Sequence, residues 1–220
     1  SPCTETALYH GTANELSGKM SLNYNNKGVG WNNFTLGNGI YLTDHLAAAK
    51  LFSHISLQNK LLRDERLGSL QRVDTAHDAG IGNVYQVHLS STAKILDARQ
   101  PLDPHQVRDY LKQVGAREDT IKYLSDNSLR DFNTVTDLLC NYPLANNQNT
   151  TEAFVKHLGC DGLRIQEDTW KTWDYYPKHL GLSVTAFKEA PTTLIVYNPD
   201  VIQSYKQIEV KEAQALNNPL

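Results

Sequence analysis

The run Thr193-Leu194-Ile195-Val196-Tyr197 is the most apolar strand pattern in the chain, and Asn198-Pro199 ends it. A strand this apolar has to lie inside a sheet with both faces covered. The other strand patterns are short and separated by turn residues. Ala7 to Thr12 ends at a glycine and a threonine, and Gly39-Ile40-Tyr41-Leu42-Thr43 follows a Gly- and Asn-rich stretch. Val84, Gln86 and His88 alternate with Tyr85, Val87 and Leu89, which predicts a strand over 83–89. Lys94 to Asp97 reads as a second strand or its continuation. Asp161 to Ile165, Leu182 to Phe187 and Ile208 to Val210 complete the set, with a turn beginning at Val201-Ile202.

Helical spacing appears in two places. Asp44 is placed to cap a helix carrying Ala47, Ala48, Ala49, Leu51 and Phe52. The polar stretch from about 64 to 78 reads as a surface loop or a frayed helix. From about 103 to 158 the chain is mostly helical. Asp103-Pro104 starts a helix through Val107, Tyr110, Leu111 and Val114, which Gly115 stops. Further helices are expected around Ile121 to Leu124, Phe132 to Leu139 and Thr150 to Phe154, the last closed by Gly159. Strand–helix–strand regularity is missing, and Gly37-Asn38-Gly39 leads into a strand where a dinucleotide loop would open a helix. The expectation is a single α+β domain spanning all 220 residues.

Several function classes recede on composition. A formal net charge of −3 offers no field that would draw nucleic acid. No apolar run approaches the roughly 20 residues that span a bilayer. Three scattered cysteines, Cys3, Cys140 and Cys160, give neither a disulfide framework nor a metal spacing, and fit a reducing compartment.

The chemistry concentrates in two motifs. Tyr9-His10-Gly11-Thr12 puts an imidazole, a hydroxyl and an approachable backbone at one strand end. That set suits a ligand with a carboxamide and ribose hydroxyls. Gly39-Ile40-Tyr41-Leu42-Thr43-Asp44, with Phe52 downstream, offers two aromatic rings flanking a strand–helix junction. Each motif alone also reads as ordinary core.

In this order, with the strand patterns at 84–89, 94–97 and 161–165 and the closing Ile195-Val196-Tyr197-Asn198-Pro199, the chain resembles the His–Tyr class of ADP-ribosyltransferases. That class includes diphtheria-toxin-like enzymes and poly(ADP-ribose) polymerases. The resemblance covers about 7–97 and 160–203 and leaves out the helical middle. It implies two small abutting mixed β-sheets forming an NAD cleft, with 103–158 as a helical insertion. It implies NAD+ as co-substrate, no metal, and transfer of ADP-ribose to a protein side chain by a bacterial effector or toxin. Such a protein is secreted or delivered into a host cytosol. Tyr9, His10, Gly11, Thr12, Gly39, Tyr41, Leu42, Phe52 and Thr193 are the implied NAD contacts. His10 would bond the adenosine-side ribose, and Gly11 the nicotinamide carboxamide. Tyr41 and Phe52 would sandwich the nicotinamide ring.

The family's glutamate at the start of the last core strand has no direct counterpart. The register of Tyr197-Asn198-Pro199 puts Thr193 there. Glu189, four residues earlier in a loop, is the carboxylate expected to act with His10 and Tyr41, while Thr193 lines the site. Glu167 and Asp168 stand behind it. Without any glutamate, an enzyme limited to a single transfer stays open. So do an NAD glycohydrolase on the same fold and a non-catalytic NAD- or ADP-ribose-binding module. The aromatic segment Trp170 to Tyr176 and the helical middle serve acceptor recognition or packing equally well.

Overall fold

The computed structural model describes residues 7–22, 37–64, 66–100, 102–119, 121–122, 150–166 and 191–211. The expected strand at 182–187, the helices near Tyr123 and 132–139, Glu189 and Trp170 to Tyr176 lie outside the described residues. Among the described residues, seven strands form one sheet in the order β4-β5-β6-β2-β1-β3-β7. They are β1 (Leu8–Thr12), β2 (Ile40–Thr43), β3 (Asn83–Leu89), β4 (Ile95–Asp97), β5 (Gly162–Gln166), β6 (Thr192–Val196) and β7 (Ile202–Glu209). The helices are α1 (Leu46–Leu62), α2 (Ser69–His77), α3 (Pro104–Gln113) and α4 (Thr150–His157).

β6 is interior, as its composition requires. It pairs antiparallel with β2 on one side and β5 on the other. Leu194, Ile195 and Val196 are fully buried. Alternation then divides the core. Leu194 and Val196 share one face with Ile40, Leu42, Tyr85 and Val87, covered by Met20. Ile195 and Tyr197 share the other with Leu163 and Ile165, where Val107 and Tyr110 of α3 and Phe154 of α4 pack. The helical segment therefore covers the half-sheet β4-β5-β6-β2. Tyr110 and Phe154 meet ring to ring at 5.4 Å, which joins α3 to α4.

The expectation of two abutting sheets is corrected to one hydrogen-bonded sheet with a weak seam. β2 and β6 register over four residue pairs, and β1 and β3 over five. Between β1 and β2, Tyr9↔Thr43 is the sole register pair among the described residues. The halves β4-β5-β6-β2 and β1-β3-β7 are thus joined at one point. All pairings are antiparallel except β4 with β5.

Other expectations change locally. Asp44 does not cap α1. His45 is the N-cap, with no side-chain bond, while the Asp44 carboxylate accepts from Thr192 N–H at 3.0 Å. The polar stretch holds a real helix, α2, which packs against α1. Of the two readings of 94–97, the second strand holds: β4 is separate from β3 and pairs in parallel with β5 at the far end of the sheet. β7 begins at Ile202, where a turn was predicted, because the turn is made one step earlier by Pro199–Val201. Asn198 caps it by accepting from Asp200 N–H. Asp103 does cap α3, accepting from His105 N–H at 2.9 Å, and Gly115 and Gly159 follow α3 and α4 at φ +73°.

Asn83 pins three segments together. Its amide donates to Ala13 O and Asn14 O, and its carbonyl accepts from Gln207 Nε2 and Lys211 N–H. The residue is fully buried. Asn83→Leu keeps the size and strands these partners, so urea unfolding should show a loss of about 2–4 kcal/mol. An unchanged midpoint would mean that water replaces the amide.

Candidate functional site

The seam gathers the two motifs. Tyr9 holds it through Thr43, and His10 is the first residue beyond it. There the imidazole does what a strand partner would do: Nδ1 lies 2.8 Å from the carbonyl oxygen of Tyr41. A carbonyl only accepts, so Nδ1 carries the proton and Nε2 of the neutral ring keeps its lone pair. His10 is 8% exposed. Burial pushes its pKa below the ordinary 6.5, and the bond to the Tyr41 backbone opposes that shift without reversing it. The ring is therefore neutral at pH 7.

The side chains of His10 and Tyr41 point to opposite faces. His10 registers with Tyr85 and borders a small cavity lined also by Leu16, Lys19, Met20, Ile40 and Tyr205. Tyr41 packs on the face that α3 and α4 cover, and its hydroxyl donates to Gly37 O at 2.9 Å. Thr193 shares the Tyr41 face. It registers with Thr43 and Ile165 and is 2% exposed. Their backbones meet at the seam, while their side chains lie on different faces of the sheet.

Gly11 faces α1. A Cβ there would sit 1.9 Å from Ala49 O and 2.8 Å from Ser53 N, so the close approach this glycine permits is that of the helix. Phe52, half-buried, immediately precedes Ser53 and so stands one residue from the Gly11 contact. Gly39 is required in the same way, since its Cβ would meet Ile195 Cγ2 at 2.5 Å. Thr12 Oγ1 accepts from Asn14 N–H at 3.1 Å and turns the chain out of β1. Leu42 is 1% exposed within the core, so it supports the pocket from behind. The structure thus joins His10 to Tyr41, Gly11 to the helix that carries Phe52, and Thr193 to Thr43. Glu189 is outside the described residues. Among those residues, no group of three His, Cys, Asp or Glu is placed to hold a metal.

Sequence reasoning missed two carboxylates beside these residues. Asp44 ties the end of β2 to the start of β6 through Thr192. Glu152, on α4, accepts from Asn38 N–H at 3.2 Å. For Asp44 the capping pattern pointed to the wrong partner. For Glu152 the sequence shows only an acid in a first helical turn.

Two outcomes follow from His10 and Gly11. The unfolded chain binds a proton at His10 near pH 6.5, whereas the folded chain binds it only at lower pH. Stability is therefore full above pH 6.5 and falls as pH drops below it, until the lowered folded pKa is passed. In His10→Gln this contribution disappears; urea midpoints of both proteins at pH 7.5 and 5.5 measure the difference. Gly11→Ala should separate β1 from α1 and lower stability by about 3 kcal/mol or more. Equal thermal midpoints for variant and parent would contradict the packing described.

No family model, curated protein or solved structure matches this chain, so the geometry of the seam is what bears on its function.

Proposed function

We propose that the chain is a mono-ADP-ribosyltransferase of the His–Tyr class, which binds NAD+ across the β1–β2 seam and transfers ADP-ribose to a protein side chain. The observation that carries this is the bond from His10 Nδ1 to the Tyr41 carbonyl. Two motifs 31 residues apart meet where the sheet is held by one pair. A long, bent dinucleotide suits a site that has polar hydrogen-bonding capacity on one face and an aromatic ring on the other.

In this reading His10 Nε2, fixed as an acceptor, accepts a hydrogen bond from a hydroxyl of the adenosine-side ribose. Gly11, packed on α1, sets the end of β1 that presents His10. Thr12 and Tyr9 shape the strand end. Tyr41 and Phe52 flank the nicotinamide, and Gly39 and Leu42 hold β2 against β6. The bond between nicotinamide nitrogen and the ribose anomeric carbon breaks, and its electron pair leaves with neutral nicotinamide. The acceptor side chain bonds the same carbon and loses its proton. The sugar passes through a cationic state, which aromatic faces and a nearby carboxylate stabilise. Thr193 supplies a hydroxyl but no charge, so Glu189 is assigned the carboxylate role. The reaction requires no metal. A host or competitor protein is the acceptor proposed, reached after secretion or delivery. The net charge of −3 counts against nucleic acid. No described helix is long and apolar enough to cross a membrane.

Incubation with labelled NAD+ and cell lysate tests this directly. Label should appear on protein, fall at least about 100-fold in Tyr41→Ala, and fall in Glu189→Gln. Nicotinamide release without labelled protein would move the reading to a glycohydrolase. Calorimetric NAD+ binding without release would leave a binding module, and absence of binding would end the proposal.

A further inference from the structure

Among the described residues, Glu152 of the helical segment bonds the turn that receives the Tyr41 hydroxyl. Glu152 sits in the first turn of α4, its side chain 18% exposed. Oε1 takes the ammonium of Lys156 one turn on, at 2.9 Å. Oε2 accepts from the backbone N–H of Asn38. That amide belongs to the turn that opens β2. Gly37, the residue before it, is held at φ +94°, a conformation that side-chain-bearing residues rarely adopt. A Cβ on Gly37 would sit 2.7 Å from Glu152 Cβ and 3.2 Å from Tyr197 Cε1. The turn is thus clamped between α4 and the end of β6. Its Gly37 carbonyl receives the Tyr41 hydroxyl.

The geometry points to Glu152 as a positioning residue for Tyr41, holding the Gly37-Asn38 turn so that the Gly37 carbonyl fixes the plane of the Tyr41 ring for stacking on nicotinamide. A half-buried tyrosine has a ring torsion to lose when a flat ligand arrives. A latch made beforehand removes that cost from binding. Lys156 orients the carboxylate from one turn on. α4 packs on the core through Phe154 and Val155, so the latch rests on a fixed support. This inference rests on the reading of Tyr41 as the nicotinamide platform.

Because stacking concerns only the nicotinamide ring, the test separates the two parts of the dinucleotide. The intact protein is titrated with nicotinamide and, separately, with ADP-ribose, by ligand-observed NMR. Glu152→Ala should weaken nicotinamide binding about tenfold and leave ADP-ribose binding unchanged. Glu152→Gln, which still accepts from Asn38 N–H, should stay close to the parent. Tyr41→Phe removes the latch from the other end and should lose the same factor, with no further loss on adding Glu152→Ala. Unchanged nicotinamide affinity in either single variant overturns the proposal. So does an equal loss for ADP-ribose, or losses that multiply in the double variant. If Glu152→Ala does not fold, Tyr41→Phe still decides, since it leaves α4 untouched. A parent protein that binds neither ligand refutes the NAD reading itself; a parent that binds both while the variants match it refutes Glu152 alone.

Discussion

The hydrogen bond from His10 Nδ1 to the Tyr41 carbonyl is the interaction around which the rest is arranged. Two strands in the middle of a sheet ordinarily satisfy each other's backbone along their whole length. Here β1 and β2 part after Tyr9↔Thr43, and a side chain meets one of the carbonyls left over. The consequence for His10 is chemical. Its tautomer is set, its ring is buried and neutral, and its remaining nitrogen can only accept. The consequence for the sheet is mechanical, since β1 and β2 register at one pair beside one imidazole, and the shared core of Leu42, Leu194, Tyr85 and Val87 has to hold the halves together.

The half-sheet β1-β3-β7 compensates with polar pins to α1. Ser53 Oγ accepts from Gly82 N–H, Ser56 Oγ accepts from Ala13 N–H, and His54 Nδ1 donates to Gly80 O at 2.9 Å. All three side chains are buried, so each bond is made in a medium where leaving it unmade costs about 1–3 kcal/mol. The other half is held by apolar packing of α3 and α4.

Much of this was legible in the residues. The interior place of β6 follows from Leu194-Ile195-Val196, and the limits of α3 from Asp103-Pro104 and Gly115, because composition and caps act locally. β1, β2, β3 and β5 fall within a residue or two of their patterns. What stayed hidden depends on partners far along the chain. Asp44 looks like a cap and instead bonds Thr192, 148 residues away. Gly11 reads as an opening for a ligand, yet its Cβ side is occupied by α1. The pairing of β4 with β5 and the early start of β7 rest on neighbours that no local pattern names. For the site, His10 and Tyr41 were legible as a pair, but their opposite faces were not, because the seam is a property of register.

The strand order has a kinetic consequence. β6 completes the half-sheet β4-β5-β6-β2, and β7 completes β1-β3-β7. Both are supplied from beyond residue 191. β1 has its two neighbours early, in β2 and β3, but each of those waits for its outer partner, β6 or β7. Contacts this distant in sequence raise the entropic cost of the folding nucleus and slow its formation. During synthesis, neither half closes until β6 and β7 have been made, and a chain stopped before Thr192 has two incomplete half-sheets.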